Sequence, residues 1–159
     1  MIKVKIIALG KLKESYLRAA TEEYAKRLSR YCALELVELS PKALPDDPNS
    51  SQISAALEAE AEMIIKAIPQ GSRVVAMCIE GKQPSSEELA ASLEKAALLS
   101  GSVTFIIGSS YGLADKVKSL ADEKMSMSRL TFPHQLARVM LLEQIYRGFK
   151  INEGSAYHK

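Results

Sequence analysis

Three groups of residues in this sequence have types and spacings that can do chemistry. The first is the loop Gly108-Ser109-Ser110-Tyr111-Gly112, which follows the apolar β-branched run Val103–Ile107. Glycines let a backbone approach a ligand closely or take conformations closed to other residues. Amides at the start of a following helix can receive polar groups. The same five residues match Gly-x-Ser-x-Gly, the nucleophile elbow of hydrolases. Ser110 would be the nucleophile, with Asp115 or Asp122 and then His134 following in the order of that class. Against a serine hydrolase stand the short chain and the absence of an HGGG-type oxyanion loop. The plainest reading of the loop is a tight strand-to-helix turn. It is not G-x-G-x-x-G, and no such motif follows the first strand, so a dinucleotide site of the usual kind is disfavoured.

The second group is the tail Gly154-Ser155-Ala156-Tyr157-His158-Lys159, with a phenol, an imidazole and an ammonium. Chain ends are usually frayed and inert. A tail with stacking and titratable groups can instead close over a nucleobase. The third group is the pair Arg138 and Arg147 on the segment that starts at Pro133. On a helical wheel, Glu143, Arg147 and Lys150 share one narrow sector, with Leu136 and Met140 beside it. Val139, Leu141, Leu142, Ile145, Tyr146 and Phe149 cover most of the rest. Arg138 falls inside the apolar sector. It must find an anionic or carbonyl partner or snorkel out along its stem. A helix apolar nearly all round is buried on several sides, which in so small a chain points to burial partly against a second subunit. His134 and His158 stand far apart with no acidic residue at ligand spacing, so no metal site is expected.

The elements that must position these groups alternate along the chain. Ile2–Leu9 and Ala33–Leu39 alternate as strands, with a helix over Glu14–Tyr31 between them. A loop rich in Pro, Asp, Asn and Ser runs from Pro41 to Ser51. A helix over Ser51–Ile68 precedes an apolar strand, Val74–Ile79. Ser85 and Glu88 make a capping box for a helix reaching about Ser100. Then come the strand Val103–Ile107, a short helix Leu113–Ala121, a short strand Lys124–Met127 and a helix from Pro133 to about Ile151, with Pro133 in its first turn. Strands spaced by helices predict a parallel, Rossmann-like α/β sheet with helices on both faces. Ligands then bind at the carboxyl ends of the strands. That brings together the loops after Val74–Ile79, Val103–Ile107 and Lys124–Met127.

Composition sets the outer bounds. The 159 residues are 47% apolar and 25% charged, the make-up of one soluble domain spanning 1–159. The net charge of +2 says little about a partner. From Arg129 onward, however, five cations (Arg129, Arg138, Arg147, Lys150, Lys159) face two acids (Glu143, Glu153), a mild basic bias that suits phosphate. Cys32 and Cys78 form no C-x-x-C, and Cys78 is expected to be a buried strand thiol, so a reducing cytoplasm is the expected location. Neither a signal-peptide pattern nor an apolar run of membrane-spanning length is present.

The stretch TFPHQLARVMLLEQIYRGFKI followed by AYHK, with IIGSSYGL, VKIIALGKLKESYL and VVAMCIEGKQPSSEELA, resembles the ribosomal large-subunit pseudouridine methyltransferase H family over the whole length. This is a small branch of the SPOUT methyltransferases. The resemblance implies a SPOUT fold with a C-terminal trefoil knot, a feature that general chain topology would argue against. It also implies a homodimer and the methyl donor S-adenosylmethionine. The implied substrate is N3 of a pseudouridine in the helix 69 loop of 23S rRNA, within the assembled 70S ribosome. By motif, Met77 stands where the family often has Leu and lines the adenine pocket. Gly108 opens the loop against the donor, and Met127-Ser128-Arg129-Leu130-Thr131-Phe132 forms the next knot loop. His158, Tyr157, Arg147 and Arg138 are the implied catalytic and substrate-positioning groups. Two departures are visible. Met replaces Leu at position 77, a volume-conserving change, and Ser109-Ser110-Tyr111 replaces the commoner Gly- and Pro- or Asn-bearing loop.

Overall fold

The computed structural model describes residues 1–158. Five strands and five helices alternate without exception among the described residues. They are β1 (Ile2–Leu9), α1 (Ser15–Leu28), β2 (Cys32–Leu39), α2 (Ser50–Ala67), β3 (Arg73–Lys82), α3 (Ser86–Leu99), β4 (Ser102–Ile107), α4 (Asp115–Leu120), β5 (Glu123–Met125) and α5 (His134–Asn152). The strands form one sheet of order β2-β1-β4-β3-β5, with every pair parallel. The expected parallel sheet with helices on both faces is thus present.

Strand alternation decides which helix goes where. Val4, Ile6 and Ala8 of β1 point to one face with Val103, Phe105 and Ile107 of β4, and α1, α3 and α5 cover them. Ile7, Leu9, Val74, Ala76 and Ile106 point to the other face, beneath α2 and α4. Steps toward β2 use helices of the first face, and steps toward β5 use helices of the second. All four crossovers therefore share one hand, as parallel connections require. Phe105, Ile6 and Ile106 are fully buried, each contributing about 1.5–3 kcal/mol by leaving water.

Local signals set the helix starts. The Ser85/Glu88 capping box forms as expected. A second box, Asn49 with Gln52, starts α2. Pro133 is the N-cap of α5, just outside the helix and not in its first turn, because its ψ of 134° is extended. β3 runs three residues past Ile79. Its end is held by register Lys82↔Met125 and by the Ser126 amide donating to the Lys82 carbonyl at 2.8 Å. A Cβ on Gly81 would sit 2.6 Å from the Met125 backbone, so only glycine allows this crossing.

α5 lies between α1 and α3 over the sheet, and Leu141, Leu142 and Ile145 are wholly buried within this one chain. Its many-sided apolar pattern is therefore largely satisfied without a second subunit, and the wheel alone does not demand one. Cys78 is half-buried instead of buried, because it lies where β3 emerges from its neighbours. Cys32 is the buried thiol, and burial pushes its pKa up to about 11.

Candidate active site

The carboxyl ends of β3, β4 and β5 open into one cavity of about 760 Å³. A volume of that order suits a small-molecule site. Three segments line it: Met77–Glu80, Ile107–Leu113, and the stretch from Met125 into the start of α5. The three loops expected to meet do meet. Of the residues expected to hold a donor, Met77, Gly108, Met127, Ser128, Leu130, Thr131 and Phe132 line the cavity. Arg129 does not; it is exposed on the same loop.

The walls are sulfur-rich and apolar, from Met77, Met125, Met127, Ile107 and Leu113. Polarizable, adaptable thioethers suit the face of a flat ring. The loop after β5 is shaped by its own serines. Ser126 Oγ donates to the Ser128 carbonyl at 3.0 Å, and Ser128 Oγ accepts from the Leu130 amide at 3.0 Å. The loop after β4 is shaped by glycines. Gly108 is buried, and a Cβ there would lie 2.7 Å from the Gly112 carbonyl carbon and closer still to its oxygen. Gly112 has φ of 83°, a region that disfavours side chains, and its amide bonds the Ser109 carbonyl at 2.9 Å.

Charge at the rim is mixed. Lys118 and Glu80 pair at 2.6 Å, and the bond holds the Glu80 carboxyl below its usual range. His134 also lines the cavity. Its pKa is lowered by burial and then by the nearby Arg138 and Lys13 charges, which favours a neutral imidazole. The cavity can thus admit a cationic, flat-ringed ligand without meeting a second fixed cation at His134. Sequence reasoning missed Glu80 and Lys118 as lining groups and weighed His134 in the hydrolase alternative. The extension of β3, which has no local signal, is what brings Glu80 there.

The residues expected to do catalysis lie elsewhere on this chain. The tail is not frayed; it folds back along α5. Tyr157 packs edge-on against Tyr146 at 5.1 Å, and the Arg147 guanidinium lies 4.9 Å from its ring centre. Its hydroxyl reaches Glu143 Oε1 at 3.3 Å, and burial followed by the Glu143 charge raises its pKa. His158 Nε2 meets Glu87 Oε1 at 2.7 Å, and Nδ1 faces Arg147 at 3.4 Å. Arg147 also pairs with Glu143 at 2.6 Å, a bond that raises the arginine's pKa. Tyr157, His158, Arg147 and Glu143 thus form one cluster, but none lines the cavity of the same chain. Glu143 was visible only as a helical neighbour of Arg147. Lys159, the ammonium of the tail, lies outside the described residues.

Arg138 has the partners its apolar surroundings demand. Nη1 donates to Glu38 Oε2 at 2.6 Å and Nη2 to the Gly10 carbonyl at 3.0 Å, with 3% of the residue exposed. It ties α5 to the ends of β1 and β2 and does not snorkel.

The hydrolase alternative has no support. No hydrogen bond joins Ser110 to His134 among the described residues, and the Asp122 carboxylate is taken by the Val74 amide at 2.7 Å. Nor does any non-glycine residue among those described adopt positive φ, the strain a nucleophile elbow places on its serine.

The family described as predicted SPOUT methyltransferases matches residues 2–158. A ribosomal RNA large subunit methyltransferase H from Streptococcus thermophilus is 48% identical over 159 residues, covering 99% of this chain and all of the relative. Proteins of the same name from Clostridium kluyveri and Acetivibrio thermocellus are 47% and 44% identical, covering 98% and 99% of this chain and 99% and 100% of themselves. In fold, the chain resembles a probable methylase family protein from Haemophilus influenzae, with a TM-score of 0.55 at 15% identity, over 100% of this chain and 72% of the other. Near-complete alignment at this identity, on a parallel sheet whose carboxyl ends form one cavity, places the chain in the SPOUT methyltransferase family.

Proposed function

We propose that the protein transfers a methyl group from S-adenosylmethionine to N3 of a pseudouridine in the helix 69 loop of 23S rRNA, on the assembled 70S ribosome, as a cytoplasmic homodimer. The observation that carries the reading is the cavity built by Met77, Gly108 and the loop Met127–Phe132, in a chain nearly half identical to proteins named as large-subunit ribosomal RNA methyltransferases. No helix among the described residues is long and apolar enough to cross a membrane.

The residues present fit the donor. Met77, Met127 and Leu113 offer apolar contact to an adenine ring, and the serine-shaped backbone of Ser126–Leu130 offers amides and carbonyls to its edge. The cradle at Gly108 is one that any Cβ would fill. When bound, S-adenosylmethionine supplies an electrophilic methyl group on a sulfonium. The trefoil knot belongs to this proposal. It is supported by the close crossing of Gly81–Lys82 over Met125–Ser126, beside the loop that leads into α5.

The chain's own groups then orient the nucleophile and move a proton. N3 of the base carries a hydrogen that must leave as the N–C bond forms and the C–S bond breaks. The tail cluster offers the acceptors, His158 and the Glu143 carboxylate, with Tyr157 to stack on or bond the base. Arg147, oriented by Glu143, suits base carbonyls or phosphate. Because one chain's tail is held on its own α5 and away from its own cavity, the tail that closes a cavity comes from a second copy. That requirement supports a homodimer. Much of the acceleration should come from orientation, which can supply roughly 7–11 kcal/mol.

The test is incubation with labelled S-adenosylmethionine and intact 70S ribosomes, free subunits and naked rRNA, followed by nucleoside analysis. Label in N3-methylpseudouridine from 70S ribosomes is expected. Label in another nucleoside, or in free RNA alone, overturns the substrate assignment.

A further inference from the structure

His158 has two ring nitrogens, and each meets a neighbour that decides where the proton sits. Nε2 lies 2.7 Å from Glu87 Oε1. The Glu87 carboxyl is held below its usual range by its own backbone amide and then by His158, so it stands ionised. A carboxylate can only accept, which puts the hydrogen on Nε2. Nδ1 faces Arg147 Nη1 at 3.4 Å. A guanidinium can only donate, which leaves the lone pair on Nδ1. Both neighbours therefore impose one tautomer. Among the described residues, Glu87 of α3 and Arg147 of α5 meet the imidazole directly, with Glu143 and Tyr157 behind Arg147.

The first turn of α3 braces both members of this pair. Glu88, not Glu87, closes the capping box with Ser85, at 2.7 and 3.1 Å, and so leaves the Glu87 carboxylate to the tail. Ser86 donates to Gln144 Oε1 at 2.7 Å, and Gln144 Nε2 donates to Glu143 Oε2 at 2.7 Å. Glu143 Oε1 in turn accepts from Nε and Nη2 of Arg147 at 3.1 and 2.6 Å. Nη1, beside His158 Nδ1, is the Arg147 nitrogen left to meet a ligand.

A donor next to an acceptor is the complement of an imide edge. In a uracil-type base, N3–H stands between carbonyl oxygens, so Nδ1 can accept from N3 while Nη1 donates to the adjacent oxygen. With N3 at Nδ1, cytosine would set one lone pair against another. We propose that the first turn of α3 selects a uracil-type base, because Glu87 holds His158 with its hydrogen on Nε2 and so leaves Nδ1, beside Arg147 Nη1, as the atom that takes the N3 proton. As the N–C bond forms and the C–S bond breaks, with its electron pair going to sulfur, that proton passes from N3 to Nδ1. The imidazolium formed keeps its Nε2 hydrogen on Glu87. Glu87 touches neither base nor donor and is a positioning residue, as are Ser86 and Gln144. The inference rests on the RNA methyltransferase reading above.

Long-range ¹H–¹⁵N spectra of the wild type at mildly alkaline pH should show His158 protonated on Nε2, with His134 the one other ring to resolve from it. A hydrogen on Nδ1 overturns the inference. Single-turnover methylation at saturating donor and ribosomes should fall about tenfold in Glu87→Ala, part of the roughly 100–10,000-fold that a general base contributes. Glu87→Gln, whose carbonyl can still accept from Nε2, should recover most of that loss, and Glu87→Lys, which can only donate, should lose more. Donor affinity by calorimetry should match the wild type in all three. Glu88→Ala, which opens the capping box instead, should lower the melting temperature and leave the rate unchanged. Equal rates in wild type and the Glu87 variants would make the contact a surface pair without a role, and would overturn this inference alone. A rate loss matched by lost donor affinity would also overturn it. A wild-type enzyme that methylates no ribosomal RNA overturns the function and this inference together.

Discussion

Gly108→Ala should weaken donor binding and fold stability together. The added Cβ would stand 2.7 Å from the Gly112 carbonyl carbon, whereas ordinary contact begins near 3.4 Å. The turn must therefore open by at least about 0.7 Å, the difference between those distances, because the Gly112 oxygen is closer still. It cannot do so freely. The Gly112 amide is fastened to the Ser109 carbonyl at 2.9 Å, and the Leu113 side chain already lies 3.1 Å from the same Cβ position. Overpacking of this kind costs about 1–3 kcal/mol. In a chain of this size that lowers the melting temperature by about 2–12 °C. The displaced loop lines the cavity. A misplacement approaching 1 Å can cost about a hundredfold in rate, and the donor dissociation constant should rise about tenfold, the equivalent of ~1.4 kcal/mol. Differential scanning calorimetry and titration with S-adenosylhomocysteine measure the two effects on one sample. Ser119→Ala, at an exposed position on α4 that does not line the cavity, is the control and should change neither. A folded Gly108→Ala protein with wild-type melting and wild-type donor affinity would refute the reasoning, because the turn would then be soft and the cavity indifferent to it.

Four further outcomes are expected. Glu38→Ala should destabilise by about 2–3 kcal/mol and Arg138→Leu by only about 1, because the arginine side chain is 4% exposed and the glutamate 41%, so only the first change strands a buried charge; equal losses in denaturant melts would contradict this. His134 has a lowered pKa, so the folded state binds fewer protons than the unfolded chain as pH falls below about 6.5. Stability should drop on that acid side and be insensitive above it, and affinity for the sulfonium donor should fall with acid more than affinity for neutral S-adenosylhomocysteine. His134→Asn should remove both slopes in pH-dependent melts and titrations. Deleting Tyr157–Lys159 should leave donor affinity within about twofold but abolish most single-turnover methylation of ribosomes; a lost donor affinity would place the tail in the donor pocket. Ile79→Glu, at a residue 84% exposed on the cavity rim, should yield monomers in sedimentation without unfolding. Leu142 and Ile145 cannot serve for that test, since both are core residues of one chain.

The alternating strands and helices were legible because the sheet is parallel and nearly every strand is followed by its covering helix. Boundaries fell within a few residues where a local device marks them, as Ser85 and Glu88 do for α3. They failed where distant backbone decides. β3 continues to Lys82 only because Met125 and Ser126 pair with it, and nothing in the run Glu80-Gly81-Lys82 announces that. The site divides the same way. Met77, Gly108 and the loop from Met127 were reached through strand ends and resemblance. The cluster of Tyr157 and His158 with Glu143 and Glu87 joins residues 14 and 71 positions apart. No spacing in the sequence encodes such a meeting. Arg138 lies between these cases. Its apolar helical sector demanded a partner, but only the fold could supply Glu38 and Gly10.

The place of α5 also bears on how the molecule is made. β1 precedes the other four strands along the chain, yet it pairs with β2 and β4 and stands inside the sheet. Of the three helices that cover its apolar face, α5 is made after all five strands. At about 5–20 residues per second, Val4 would wait about 7–30 s for the end of α5 at Asn152, and Phe105 about 2–9 s. Nascent chains stalled before residue 134 should therefore bind chaperones and yield to protease where chains that include α5 resist. A circular permutant that begins at α5, with the old ends joined by a linker, would reverse the order of arrival. It should shorten that vulnerable interval, with its one cut falling beside the Pro133 cap of α5.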